Sequence, residues 1–368
     1  MTSLTRVRSP RHGGAFRAVA AAVALTTLAG ATAAQGQAPD TRQQGGRRPP
    51  PRIYDETTPI VLTLTTNIEQ LRQDRDTNPR WRWGQITLAG DTGTRGTVPV
   101  RVRPRGVWRR RQCRFPPLRL DFARATSEGT VFAGLDRPKL VNYCYDEDRY
   151  EQYILQEYQL YRVYALLTPR SMRTRLLRVT YADSTKGRTR TTRYAILTED
   201  AGALAARLGG TALDATGITS AELDSLQFAV TSLFQYMIGN TDWSTAGLHN
   251  MEIVQTGDGT MYPIAYDFDF SGAVDAHYAV PPAVLRLPSV RTRLFRGPCL
   301  APEMYERAFA LFRERREAIR ALYHDDIGAR IRSATVRRTL AYFDDFFEII
   351  DDPRRVKRDI LDACLKDI

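Results

Sequence analysis

The sequence predicts an α+β chain in two lobes, strand-rich first and mainly helical second. Three observations carry that expectation. Residues 53–200 hold a series of short runs of alternating or β-branched residues and a single long helical run. Residues 201–368 hold four helical runs. Between the first of these and the rest lie a polar loop and a hairpin. No internal repeat is present.

The N-terminus comes first. Arg6, Arg8, Arg11 and Arg17 make a basic start, Ala18 to Gly30 an apolar run, and Ala31-Thr32-Ala33 the small residues that a signal peptidase needs. The apolar run is short of the about 20 residues that span a bilayer. Residues 1–34 are therefore expected to be a signal peptide and the chain to be exported to the periplasm, the cell envelope or the medium. No later stretch is long and apolar enough to be transmembrane, so the mature chain is expected to be soluble. Residues 35–52, rich in Gln, Gly, Arg and Pro, have almost nothing to bury and read as a disordered spacer. About 315 residues remain, enough for one large two-lobed domain or two domains, with lobes expected at 53–200 and 201–368.

In the first lobe, strands are expected at Pro59–Thr65, Trp83–Ala89, Val98–Arg103, Leu118–Phe122 and Leu140–Tyr143, with a short helix at Asn67–Asp74. A long helix over Asp148–Leu167 stops at Thr168-Pro169. Leu176–Ala182 and Arg193–Thr198 form two further strands around the polar turn 183–190. In the second lobe Ser220 caps a helix to about Ile238, with Leu223, Leu226, Val230, Leu233, Phe234 and Met237 on one face and Gly239 to end it. The hairpin arms are Asn250–Gln255 and Met261–Tyr266, turning at Gly257-Asp258-Gly259. Helices near 301–323, 333–350 and 353–365 close the chain.

The net charge is +12. The cations are nearly all Arg, with lysine only at Lys139, Lys186, Lys357 and Lys366, a bias that reflects composition more than a nucleic-acid partner, and export argues against such a partner as well. The densest basic stretch, Arg101 to Arg119, reads either as a solvated hairpin face or as a face that binds phosphates or acids. The four cysteines, even in number in an exported chain, favour disulfides. Of three possible pairings, Cys113–Cys144 and Cys299–Cys364 keep each bond within one half of the chain. Nothing in the Cys and His spacing suggests zinc.

The chemistry concentrates in residues 239–272. A helix delivers the chain to Asn240-Thr241-Asp242, Asn250 opens the hairpin eight residues after Asp242, and Asp267 follows its second arm. A hairpin joins its own ends, so Asn250 and Asp267 are expected side by side with Asp242 near both. Carboxylates that close repel unless a proton or cation intervenes, and hard oxygen ligands suit Mg²⁺ or Mn²⁺. Phosphoryl transfer needs such a set: one Asp at the attacking hydroxyl, an Asn and an Asp holding metal on the phosphates. Glu157 has Tyr153, Ile154, Leu160 and Tyr161 as helical neighbours, so it is expected to be buried and to need a cation. Lys139, which opens the strand before that helix, is the expected partner, with nearby arginines as rivals.

The order of strands, helix, polar loop and hairpin is that of a two-lobed atypical protein-kinase-like fold. The segments RPRGVWRR around Gly106, AILTE ending at Glu199, NTDWSTAGLHN and AYDFDFSG resemble the CotH kinase-like family, the spore coat protein H type. The likeness runs from about Val98 to Gly272. It implies a secreted kinase that uses ATP with Mg²⁺ or Mn²⁺ and a protein substrate. It implies Asp242 as the catalytic-loop residue, Asn250 and Asp267 as metal ligands and Asp269 as an accessory ligand. Lys139, or Arg119 or Arg114 in its place, and Glu157 would position phosphates, Arg105 and Gly106 would lie in the turn over them, and Glu199 would mark the adenine side. The Asp242-to-Asn250 gap is wider than in kinases with an HRDxxxxN loop, and no GxGxxG is present. Two other classes stay open: a non-catalytic kinase-like binding protein of the envelope or surface layer, and a hydrolase with paired carboxylates Asp242 and Asp267 or Asp269.

Overall fold

Seven strands curl into a closed barrel. The computed structural model describes residues 48–89 and 96–366. The expected signal peptide and most of the spacer, at 1–47, lie outside the described residues. The strands are β1 (Ile60–Thr66), β2 (Arg82–Leu88), β3 (Thr97–Pro104), β4 (Leu118–Asp121), β5 (Lys139–Val141), β6 (Thr174–Asp183) and β7 (Arg188–Thr198). Their order around the barrel is β1-β2-β3-β4-β5-β7-β6. Every pairing is antiparallel except the one that closes the ring, β1 beside β6, which is parallel from Ile60↔Leu177 to Thr66↔Asp183.

This corrects the expected two-lobed kinase-like fold with a strand-rich lobe and a helical lobe. The strands were legible because alternation marks which residues turn inward: Leu62, Leu64, Val98, Val100, Val102, Leu118, Leu120, Val179 and Leu197 fill the barrel. Alternation says nothing about which strand lies beside which. The β1–β6 contact joins segments more than a hundred residues apart, and it removes two edges that an open sheet would leave unpaired.

The barrel strands are interleaved with helices. These are α1 (Ile68–Gln73), α2 (Trp108–Gln112), α3 (Arg124–Ser127) and the long α4 (Asp148–Leu167). After β7 come α5 (Ala201–Arg207) and β8 (Gly210–Leu213), then α6 (Ser225–Ile238). The hairpin β9 (Met251–Thr256) and β10 (Met261–Ala265) follows, in a second sheet of order β10-β9-β8. The chain ends in α7 (Pro302–Leu322), α8 (Ser333–Asp351) and α9 (Pro353–Val356), the last running into a wider-turned stretch, Lys357–Leu361. The short α2, α3, α5 and β8 carry too few residues for a periodic signal and were not anticipated. α6 starts at an Asp224 cap, whose carboxylate accepts the Gln227 N–H, a few residues later than Ser220.

A second apolar core joins one side of α4 to α6, α7, α8 and the β9–β10 hairpin through Tyr164, Phe234, Phe268, Phe309 and Phe346. Disulfides join Cys113 to Cys144 and Cys299 to Cys364. Two such bonds fit a protein that leaves the reducing cytosol. No helix among the described residues is long and apolar enough to cross a membrane.

Candidate functional site

Helix α6 ends where the sequence says it should. Gly239 takes φ 65°, and a Cβ there would lie 2.1 Å from the Tyr342 hydroxyl. The chain then turns on buried Asn240, whose amide oxygen accepts the Asp242 N–H at 3.0 Å. Arg296 donates to the carbonyls of Thr241 and Trp243 at 2.5 and 2.8 Å and clamps the loop from the other side. Asp242 is thereby held by its backbone on both flanks.

The hairpin mouth closes as expected. Asn250 donates its amide N–H to the Asp242 carbonyl at 2.8 Å and to its carboxylate at 3.2 Å. The Asn250 carbonyl accepts the N–H of Tyr266, the residue before Asp267. The other Asp242 oxygen meets His249 Nε2 at 2.8 Å. Leu248, Asn250 and Asp267 all have left-handed backbones, with φ of 47°, 53° and 63°. Non-glycine residues hold such angles only where their surroundings over-determine them, and such positions gather at functional sites. The Asp267 N–H donates to the Tyr161 hydroxyl on α4 at 2.9 Å, which fixes that turn.

His249 was not singled out from the sequence. The hydrogen bond to Asp242 raises its pKa above the usual 6.5. In NMR titrations His249 should therefore titrate above that value, and Asp242→Asn should bring it back down. An unshifted His249 in the variant would show that the pair is not formed. The stabilisation from this pair is present at acid pH and lost as pH rises through the raised value. It is small, because the His249 side chain is more than half exposed.

The expected Lys139–Glu157 pair does not form. Glu157 is fully buried on α4, as expected, but its cation is Arg109 at 3.8 Å, while Lys139 Nζ lies 3.5 Å from Glu252 and 3.9 Å from the Tyr266 ring centre. The reason lies in the turn after β3. Gly106, at φ 81° with open space where a Cβ would be, lets the chain leave the barrel into α2. That helix brings Arg109 among Glu157, Asp267 and Asp269. Arg109 Nε is 3.1 Å from Asp269, and a second guanidinium nitrogen is in close contact with the same carboxylate. Asp267 lies 4.0 Å from Arg109 and 3.9 Å from Arg105.

Arg109 alone cannot neutralise buried Glu157 and Asp269 and also Asp267, which is about a quarter exposed and is shared with Arg105. Burial opposes the Arg109 charge, but Asp269, Tyr278, Asp267 and Glu157 outweigh it and hold it protonated. Burial pushes Glu157 well up, and neither of its oxygens makes a well-formed hydrogen bond among the described residues. Burial, with Asp267 beside it, pushes Asp269 up to about 7 against the pull of Arg109. Asp267 keeps its charge: burial is outweighed by Arg109 and Arg105. Asp269 also accepts the Tyr278 hydroxyl at 2.9 Å, so it is an anchor for Arg109 and Tyr278. The Glu199 carboxylate is likewise occupied, by the Arg173 N–H at 2.7 Å and by Arg207.

The barrel contributes a line of cations. Strand register sets Arg103 opposite Arg119 and Arg119 opposite Lys139, across β3, β4 and β5. Their neighbours Val102, Leu118 and Leu140 turn into the barrel, so the three cations share its outer face. Like charges directly across a sheet destabilise it. Burial and the charges of Arg105 and Arg119 push Lys139 down to about 8, against Glu252. Burial, Arg105 and Arg103 push Arg119 below its ordinary value, and its buried Nε has no hydrogen-bond partner among the described residues.

Among the described residues no group of three or more His, Cys, Asp or Glu side chains is arranged to hold a metal. A smaller oxygen set is available. Asp267 is charged and has one buried oxygen, Oδ1, without a well-formed hydrogen bond. Asn250 uses its amide nitrogen on Asp242, which leaves the amide oxygen as its possible ligand. One carboxylate and one amide suit a hard cation that keeps waters and takes further oxygens from phosphates.

Sequence reasoning named Asp242, Asn250 and Asp267, offered Arg119 as an alternative to Lys139, and did not single out Arg109 or Tyr278. A signal for Arg109 did exist: a buried Glu157 demands a cation, and RPRGVWRR supplies several. No protein-family model matches this chain, and no curated protein matches it.

Proposed function

We propose that this chain is an exported phosphotransferase that moves the γ-phosphate of ATP to a protein hydroxyl with Mg²⁺ or Mn²⁺. The observation that carries the reading is the crowded cation row Arg103–Arg119–Lys139, flanked by Arg105, on the side of Asp267 and the hairpin mouth. Glu252 at 3.5 Å from Lys139 and Asp267 at 3.9 Å from Arg105 offset only part of this positive charge, and a polyphosphate would supply more negative charge. The likeness of NTDWSTAGLHN and AYDFDFSG to the CotH kinase-like family points to the same chemistry, at the level of these residues and without the kinase-like fold.

In this reading Lys139, Arg119 and Arg105 bind phosphate oxygens. Asn250 and Asp267 would hold the metal ion, which when bound neutralises charge on the phosphates. Asp242 takes the proton of the acceptor hydroxyl, and His249 and Asn250 orient its carboxylate. Arg109 and Tyr161 keep Asp267 in place. The periplasm, envelope or medium is the proposed location.

Titrating ATP with either metal tests the reading by thermal shift. A ligand at 100 times its Kd adds about 2.7 kcal/mol, enough for a shift of a few degrees. The shift should need metal and vanish in Asp267→Ala. No shift with Mg²⁺ or Mn²⁺ in folded protein would refute it. Metal-dependent ATP binding without transfer to any hydroxyl would favour a non-catalytic binding protein, for which the cation row alone would suffice.

Lys139 supplies a separate check. The unfolded chain holds the lysine proton up to about pH 10.5, the folded one only to about 8. Between those values the unfolded state binds more protons, so this group makes stability rise with pH. Below pH 8 the charged amine costs the ligand-free protein up to about 3 kcal/mol. Lys139→Met should therefore raise the urea midpoint at pH 7, abolish the relative gain between pH 8 and 10, and weaken ATP binding. A lower midpoint at pH 7 would show that Lys139 is a stabilising partner of Glu252.

A further inference from the structure

Beside the acidic cluster lies a cavity of about 340 Å³ walled by rings. Trp108 and Tyr145, exposed at 41% and 37%, both line it and offer their rings to solvent. Behind them Tyr150 is buried, and its ring lies 5.3 Å from Tyr145 and 6.1 Å from Tyr278. The wall is rigid. His277 is held through its ring by the Tyr150 hydroxyl at 3.2 Å, and its backbone N–H donates to the Tyr153 hydroxyl at 3.3 Å. The Tyr145 hydroxyl donates to the Gln112 carbonyl at 2.9 Å, and Tyr278 is tied to Asp269. The rim is polar: Glu147 and Arg149 pair at 2.6 Å, each about half exposed, with the Gln112 amide near them.

The shape selects among ligands that stack. Trp108 and Tyr278 are tilted by 36°, Tyr145 and Tyr150 by 41°, and the one near-parallel pair, Tyr150 and Tyr278, is too close to admit a ring between its members. A planar nucleobase finds no parallel slot. A quaternary ammonium ion would meet a rim whose acid is already paired with Arg149. A pyranose fits both features. The slightly positive C–H bonds on its face lie against the negative faces of tilted rings, and its hydroxyls can bond the amide, carboxylate and guanidinium of the rim.

We propose that this cavity is a carbohydrate subsite that takes one pyranose residue of a glycan against Trp108 and Tyr145. The site is independent of ATP and stands whether or not phosphate is transferred.

The test uses the full protein without nucleotide. Maltotriose, cellotriose and N-acetylchitotriose are titrated by calorimetry, and the part of the tryptophan fluorescence change that Trp108→Ala abolishes reports on Trp108 among the four tryptophans. At least one should bind saturably, and Trp108→Ala and Tyr145→Ala should each weaken it by roughly five- to tenfold. Tyr145→Ala also removes the hydroxyl's bond to Gln112 at the end of the Arg109 helix, so Tyr145→Phe, which loses that bond and keeps the ring, should bind the sugar as the unaltered protein does. Absence of saturable binding by all three sugars in folded protein would overturn the proposal. So would binding that is unchanged in both alanine variants, or capture of a tryptophan-containing peptide instead of the sugars.

Discussion

Replacing Asp242 with Ala should lower phosphoryl transfer by about 10²–10⁴-fold, the range for loss of a general base, while the protein stays folded and still binds ATP. The prediction rests on what the substitution leaves in place. The Asn250 amide still bonds the carbonyl of residue 242, the N–H of 242 still bonds Asn240, and Arg296 still clamps the neighbouring carbonyls. Only the carboxylate that faces His249 and the Asn250 amide is lost. kcat should fall with little change in the Kd for ATP. Unchanged turnover would remove Asp242 from the chemistry. A parallel loss of nucleotide binding would mean that Asp242 acts on the phosphates or the metal, not on the acceptor.

Arg109→Met should be strongly destabilising. It keeps most of the side-chain length and removes the guanidinium set among Glu157, Asp267 and Asp269. Breaking a buried ion pair by deleting one partner costs about 3–5 kcal/mol, because the charge left behind is uncompensated. For a chain of this size that corresponds to a fall in Tm of roughly 6–15 °C. Adding Asp269→Asn to Arg109→Met removes one of the stranded acids and should recover part of the loss, a coupling that a double-mutant cycle measures. Equal Tm values for Arg109→Met and the unaltered protein would show that the three carboxyls are neutral without Arg109.

The residues explain how much of this was legible beforehand. The hairpin mouth was, because its logic is local. Gly239 ends a helix, Gly257-Asp258-Gly259 turns a hairpin, and the two arms bring Asn250 beside Tyr266 and Asp267. The burial of Glu157 was legible from helical spacing, and so was its need for a cation. Which cation was not. Lys139 is nearer in sequence, yet strand register turns it to Arg119 and Glu252, and a five-residue helix with no periodic signal delivers Arg109 instead. Both disulfides follow the preferred pairing within each half of the chain.

Local pattern, then, was enough for the inward faces of the strands, the long helices and the loop that presents Asp242, Asn250 and Asp267. Spacing along the chain sets which side of an element is apolar, and turn residues set where it stops. Long-range pairing settled the rest. β1 closes on β6 to make a barrel in place of an open lobe, and register across β3, β4 and β5 aligns Arg103, Arg119 and Lys139 into a row. Both depend on which strands become neighbours. That choice is made by the fit of whole surfaces when the core forms, and no short window of residues carries it.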